Sequence, residues 1–105
     1  MPHLEIKYSA DIRLDTKSLF DQIESAINKL DSSAGICKSR AYKAENYKHS
    51  HVMIDVWLLP KQHRNQAFTQ SLLKEIMGCV KRQIANYWYV SLQLHYRDAN
   101  YITME

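Results

Sequence analysis

Two hydrophobic periods alternate along this chain. Leu4, Ile6 and Tyr8 alternate with His3, Glu5 and Lys7, the period-2 pattern of a strand with one face on a core, ending near Ser9. Residues 11–15 read as a connection, in which Asp15 or Thr16 is placed to cap the segment that follows. Leu19, Phe20, Ile23, Ala26, Ile27 and Leu30 then recur at helical spacing, with Lys17, Asp21, Glu24 and Lys29 opposite. That spacing predicts an amphipathic helix of about four turns, at 3.6 residues per turn. It stops at residues 31–35, where Gly35 supplies the backbone freedom that a reversal needs.

Residues 36–42 read as a second strand, with Lys38, Arg40 and Tyr42 on one face and Cys37, Ser39 and Ala41 on the other. Residues 43–50 are polar and read as a loop. Residues 51–59 form the clearest strand, with Val52, Ile54, Val56 and Leu58 facing one way and His51, Met53, Asp55 and Trp57 the other. Pro60 ends it. Asn65 is placed to cap a second helix whose stripe is Ala67, Phe68, Leu72, Leu73, Ile76, Val80 and Ile84. Gly78 sits inside that helix at a cost of up to ~1 kcal/mol relative to alanine, which points to close packing at that position. Residues 87–96 read as the last strand, with Val90, Leu92 and Leu94 on one side and Ser91, Gln93 and His95 on the other.

The predicted order is βαββαβ, two similar β-α-β halves of an α+β fold, each of about fifty residues by the pattern periods. Right-handed crossovers place both helices on one face of a four-stranded sheet. The other face then carries His3, Glu5, Lys7, Lys38, Arg40, Met53, Asp55, Trp57, Ser91, Gln93 and His95. A face that mixes Trp57 and Met53 with charges suggests burial against another subunit.

Composition narrows the class. At 105 residues, 46% of them hydrophobic, the chain is expected to form a single domain over residues 1–105 with one two-layer core. Two glycines and two prolines leave the turns largely to Asn, Asp and Ser. No apolar run approaches the ~18 residues of a membrane span, and no signal pattern opens the chain, so a cytoplasmic protein without a membrane partner is expected. Cys37 and Cys79 stand far apart with no CxxC, as suits two reduced thiols. The net charge of +3 is compatible with an anionic small molecule and too dispersed to argue for nucleic acid.

Candidate chemistry begins at the second residue. Initiator methionine is trimmed before small residues, which would leave Pro2 as a free secondary amine at the terminus of a strand. An α-amino group titrates near pH ~7.7–8.0, and desolvation moves it down, so such an amine can exchange protons near neutrality. A proline merely tolerated before a strand is the bland alternative. His49 and His51 are two apart without a third ligand at sensible spacing, so no metal site is expected. Ser50 has no nucleophile elbow around it. The same element order also occurs in ferredoxin-like RNA-binding modules, but their glycine-aromatic strand signature is absent; base stacking on Trp57 or Tyr42 remains the alternative of that class.

Residues 2–12, Lys38-Ser39-Arg40 after Gly35-Ile36, and the strand from His51 resemble the 5-carboxymethyl-2-hydroxymuconate isomerase family of the tautomerase superfamily. The resemblance runs over nearly the whole chain and is sharp in the first dozen residues and around Lys38 to Arg40. It implies a homotrimer that catalyses cofactor-independent proton transfer, keto-enol or double-bond, on an unsaturated carboxylated substrate of aromatic catabolism. Pro2 is then the catalytic proton shuttle, Arg40 the carboxylate clamp, and Lys38 stands where the family often has another arginine. An arginine binds a carboxylate with two parallel hydrogen bonds, and its charge beside Pro2 would also lower the amine's pKa. Lys7 and Gln93 stand where the family usually has glutamates, and residues 60–64 replace a Gly-Arg-Ser segment, leaving Arg64 as its candidate remnant. Thr103 stands in place of the lysine that ends the family's Tyr-x-Lys pattern. A tautomerase-like trimer that has lost its chemistry is the second reading.

Overall fold

The computed structural model describes residues 1–84 and 88–104, and its elements run β1 (His3–Ser9), α1 (Thr16–Leu30), a short 3-10 turn (Ser32–Ala34), β2 (Lys38–Ala44), β3 (His51–Leu58), α2 (Gln66–Gln83) and β4 (Tyr89–Tyr96). The sheet order is β2-β1-β3-β4, with β1 and β2 parallel, β1 and β3 antiparallel, and β3 and β4 parallel. Each parallel pair is joined by a helix, so the α+β fold of two β-α-β halves is the one expected. Tyr87, which the pattern placed in the last strand, lies outside the described residues.

Alternation decides which face meets the helices. Leu4 and Ile6 of β1, and Val52, Ile54, Val56 and Leu58 of β3, are essentially inaccessible, and they pack with Leu19, Ile23 and Ile27 of α1 and Leu72, Ile76 and Val80 of α2. Burying each such side chain contributes about 1.5–3 kcal/mol, so this face fixes the register of both central strands. Leu30, counted in the helical stripe, is exposed, while Ile12 from the connection after β1 is buried instead.

Caps set the helix limits. Asp15 accepts the Ser18 N–H (3.1 Å) and Asn65 accepts the Phe68 N–H (2.9 Å), each satisfying a donor that the first helical turn leaves without a partner. Gly35 has φ 74°, ψ −152°, a region nearly closed to other residues. A Cβ at Gly78 would have only Arg82 Nη1 within 4 Å among the described residues, at 3.9 Å, so the close packing expected there is absent.

β2 starts two residues later than its pattern suggests. Glu24 of α1 accepts the Cys37 N–H (2.6 Å) and Asn28 donates to the Gly35 carbonyl (2.9 Å), holding this stretch against the helix. Lys38 N–H bonds the carbonyl of Pro2, the residue before β1 (2.9 Å), and pairing with β1 continues to Ala44, inside the expected loop.

Candidate functional site

Strand register builds the open face in rows. Lys38, His3, Trp57 and His95 sit side by side across the four strands, and Arg40, Glu5, Asp55 and Gln93 form the next row. Lys7 pairs with Tyr42 and Met53, two positions along β1 from Glu5. The residues expected on one face therefore do share it.

Pro2 leads into the first row. It is buried, its carbonyl is tied to Lys38, and the residues on either side of it, Met1 and His3, border a cavity of about 590 Å³. Lys38, Leu59, Tyr101, Thr103 and Met104 complete the wall. A second cavity of about 720 Å³ lies at the other end of β1, between Tyr8, Arg13, Lys43 and Gln83, remote from Pro2.

Electrostatics around the first cavity are cationic. Burial lowers the His3 pKa first of all, and the charges of Arg40, Arg97, Lys38 and the amino terminus lower it further. Arg40 is held from two sides: its Nε donates to Glu5 Oε2 (3.1 Å) and its Nη1 to His3 Nδ1 (3.3 Å), while Nη2 has no partner among the described residues. Lys38 is on the cavity wall, whereas Arg40 is outside it, one row further along the sheet, and reaches the site through its bond to His3.

Several groups joined to this site were not singled out as functional by sequence reasoning. His95 bonds Asp55 Oδ1 through Nε2 (2.7 Å) and stacks on Trp57 with ring centroids 3.9 Å apart. The Arg97 guanidinium lies 4.5 Å from the ring centres of both Trp57 and Tyr101, which anchors the C-terminal segment beside the cavity. Neighbouring positions of Trp57 and His95 across β3 and β4 were the available signal; nothing in the pattern pointed to Arg97.

Other candidates resolve as structural groups. Arg64 is not turned to the cavity: it is buried, donates from Nε to Asp31 Oδ2 (2.9 Å) and from Nη1 to the Leu59 carbonyl (2.8 Å). His51 bonds the His49 carbonyl through Nδ1 (2.7 Å), and no group of three or more metal-ligating side chains occurs among the described residues. Cys37 and Cys79 are free thiols; burial pushes the Cys37 thiol up, outweighing the hydrogen bond from Ser39. No helix among the described residues is long and apolar enough to cross a membrane.

No family model and no curated protein sequence matches this chain. Solved structures do. A 5-carboxymethyl-2-hydroxymuconate delta-isomerase aligns with TM-score 0.80 over 100% of this chain and 88% of its own, at 17% identity. A 5-carboxymethyl-2-hydroxymuconate isomerase from Deinococcus radiodurans R1 aligns with TM-score 0.72 over 98% and 88%, at 14% identity. A wild-type symmetric trimer of fused 4-OT aligns with TM-score 0.73 over 98% and 93%, at 11% identity. At these identities the likeness is one of architecture, and the fold of this chain is the tautomerase fold that the 5-carboxymethyl-2-hydroxymuconate isomerases share.

Proposed function

We propose that this protein is a cofactor-independent tautomerase acting on a small unsaturated carboxylate, with Pro2, freed by removal of Met1, as its acid-base group. The observation that carries the reading is the cavity of about 590 Å³ bordered by Met1 and His3, the residues on either side of Pro2, walled by Lys38, with the histidine inside a field of three cationic side chains. The neutral Pro2 amine removes a proton from the substrate, the electron pair passes into a dienolate, and the Pro2 ammonium returns the proton elsewhere on the conjugated system. Lys38 meets the substrate carboxylate directly, and Arg40 contributes through the Nη2 edge that Glu5 and His3 leave open.

The mixed sheet face, with Met53 and Tyr42 exposed, supports a homotrimer, the assembly of the fused 4-OT neighbour. One observation favours the non-catalytic trimer: two of the donor positions on Arg40 are already engaged within the chain.

Ketonisation of 2-hydroxymuconate-type or phenylenolpyruvate-type substrates, followed by absorbance, separates the readings. A charge-assisted contact contributes about 1.5–3 kcal/mol, so Lys38→Ala is expected to raise KM by about tenfold to a hundredfold. No acceleration over buffer by a protein sedimenting as a trimer leaves the non-catalytic reading. A monomer that binds oligonucleotides with strong salt dependence would revive the RNA-binding one.

A further inference from the structure

The geometry points to His3 as a second catalytic residue, a neutral imidazole whose Nε2–H donates a hydrogen bond to the enolate oxygen formed when Pro2 takes the substrate proton. This rests on the tautomerase reading above and deepens it, since that reading supplies a base but no donor for the developing oxyanion.

Three observations carry it. His3 adjoins Pro2 in sequence and lines the cavity that Met1 and His3, the residues on either side of Pro2, border, so a substrate seated there for Pro2 chemistry lies beside the imidazole. Its tautomer is dictated by its partner: a guanidinium can only donate, so Arg40 Nη1, 3.3 Å from Nδ1, makes Nδ1 an acceptor and leaves the ring proton on Nε2. Among the described residues Nε2–H has no hydrogen-bond partner, which leaves it available to a ligand. Glu5 holds Arg40 in this orientation through Nε at 3.1 Å, so Glu5 and Arg40 act as positioning residues for the ring.

The charges around the ring reinforce this assignment. Burial above all, and then Arg40 from β2, Arg97 beyond β4 and Lys38 from β2, disfavour imidazolium, so the ring stays neutral where free histidine would begin to protonate. Glu5 on the same strand pairs with Arg40, while Asp55 of β3 pairs with His95 of β4, and neither carboxylate bonds His3. A neutral donor suits the chemistry: His3 keeps its proton throughout, the electron pair on oxygen is stabilised by the hydrogen bond, and the only transferred proton moves through Pro2.

Two measurements on the full-length protein test the assignment, with folding of every variant checked by circular dichroism. In the ketonisation assay His3→Phe is expected to lower kcat by about a hundredfold, the scale of losing one oxyanion donor, with KM little changed. His3→Gln, whose amide N–H replaces Nε2–H, is expected to recover part of that loss. Wild-type kcat in His3→Phe, with Pro2→Ala inactive, overturns the role of His3 and leaves Pro2 as the base. Wild-type protein without activity overturns both. Long-range 15N–1H NMR of the imidazole is expected to show an unprotonated Nδ1 and a protonated Nε2 at pH 6.5, a pattern lost in Arg40→Ala; an Nδ1–H tautomer or an imidazolium in the wild type overturns the assignment.

Discussion

Replacing Asp31 by asparagine should remove a large share of the protein's stability, because this carboxylate neutralises the buried Arg64. Asp31 closes α1, its backbone N–H bonding the Ile27 carbonyl, and its side chain accepts from Ser33, His63 and Arg64. Arg64 Nη2 lies 2.8 Å from Asp31 Oδ2, with the two side chains only 3% and 5% exposed. Asparagine preserves shape but leaves the guanidinium charged, dry and faced only by neutral acceptors. Breaking a buried pair in this way costs about 3–5 kcal/mol. Against a total of roughly 5–15 kcal/mol, the lower figure corresponds to a fall in Tm of about 12–24 °C. Urea or thermal unfolding of Asp31→Asn, Arg64→Met and the double variant measures it. An apolar replacement of both partners is often close to neutral, so the double variant should be more stable than the sum of the single losses predicts. Single losses under about 1 kcal/mol, or additivity within about 0.5 kcal/mol, would refute the reasoning.

The same group sets an acid limit. Burial by itself would raise the Asp31 carboxyl, but the hydrogen bonds from Ser33, His63 and Arg64 outweigh it and hold the group well below the usual carboxylate range. The unfolded chain, with an ordinary value near ~3.9, then binds the proton more readily. The stabilisation is therefore complete above about pH 5 and drains away as pH falls toward the depressed value, so wild-type stability should drop more steeply below pH 5 than that of Asp31→Asn, measured by urea titration at each pH. Gly35→Ala should cost about 1–3 kcal/mol in the same assay, entirely through the backbone, since nothing among the described residues lies within 4 Å of a Cβ there. Gly78→Ala should instead stabilise by about 0.5–1 kcal/mol, because the helix gains propensity and, among the described residues, the added methyl meets only Arg82 Nη1 at 3.9 Å.

The fold was legible where periodicity and burial act together. Leu4, Ile6, Val52 and Ile54 declare their strands because a shift of one residue would expose every one of them. The start of β2 was not legible, since it depends on Glu24 reaching back to the Cys37 N–H from a helix 13 positions away. The two lists of residues on opposite sheet faces were correct, yet a list of neighbours does not say which of them bond. That Arg40 would turn to Glu5 and His3 depends on the parallel register of β1 and β2, which pairs His3 with Lys38 and Glu5 with Arg40. Arg64 was misread for a similar reason. Its partner, Asp31, is 33 positions distant and reads locally as part of a helix stop. The Arg97–Tyr101 contact left no trace in the pattern, because irregular segments carry no period.

The central claim is that Pro2 supplies the base, and its most direct test is the ketonisation rate of mass-verified protein beginning at residue 2, compared with Pro2→Ala. The account predicts that Met1 is absent from the purified protein and that kcat/KM falls by about a hundredfold or more in the variant. A chain that retains Met1 while accelerating the reaction, or a Pro2→Ala protein as fast as the parent, would contradict it.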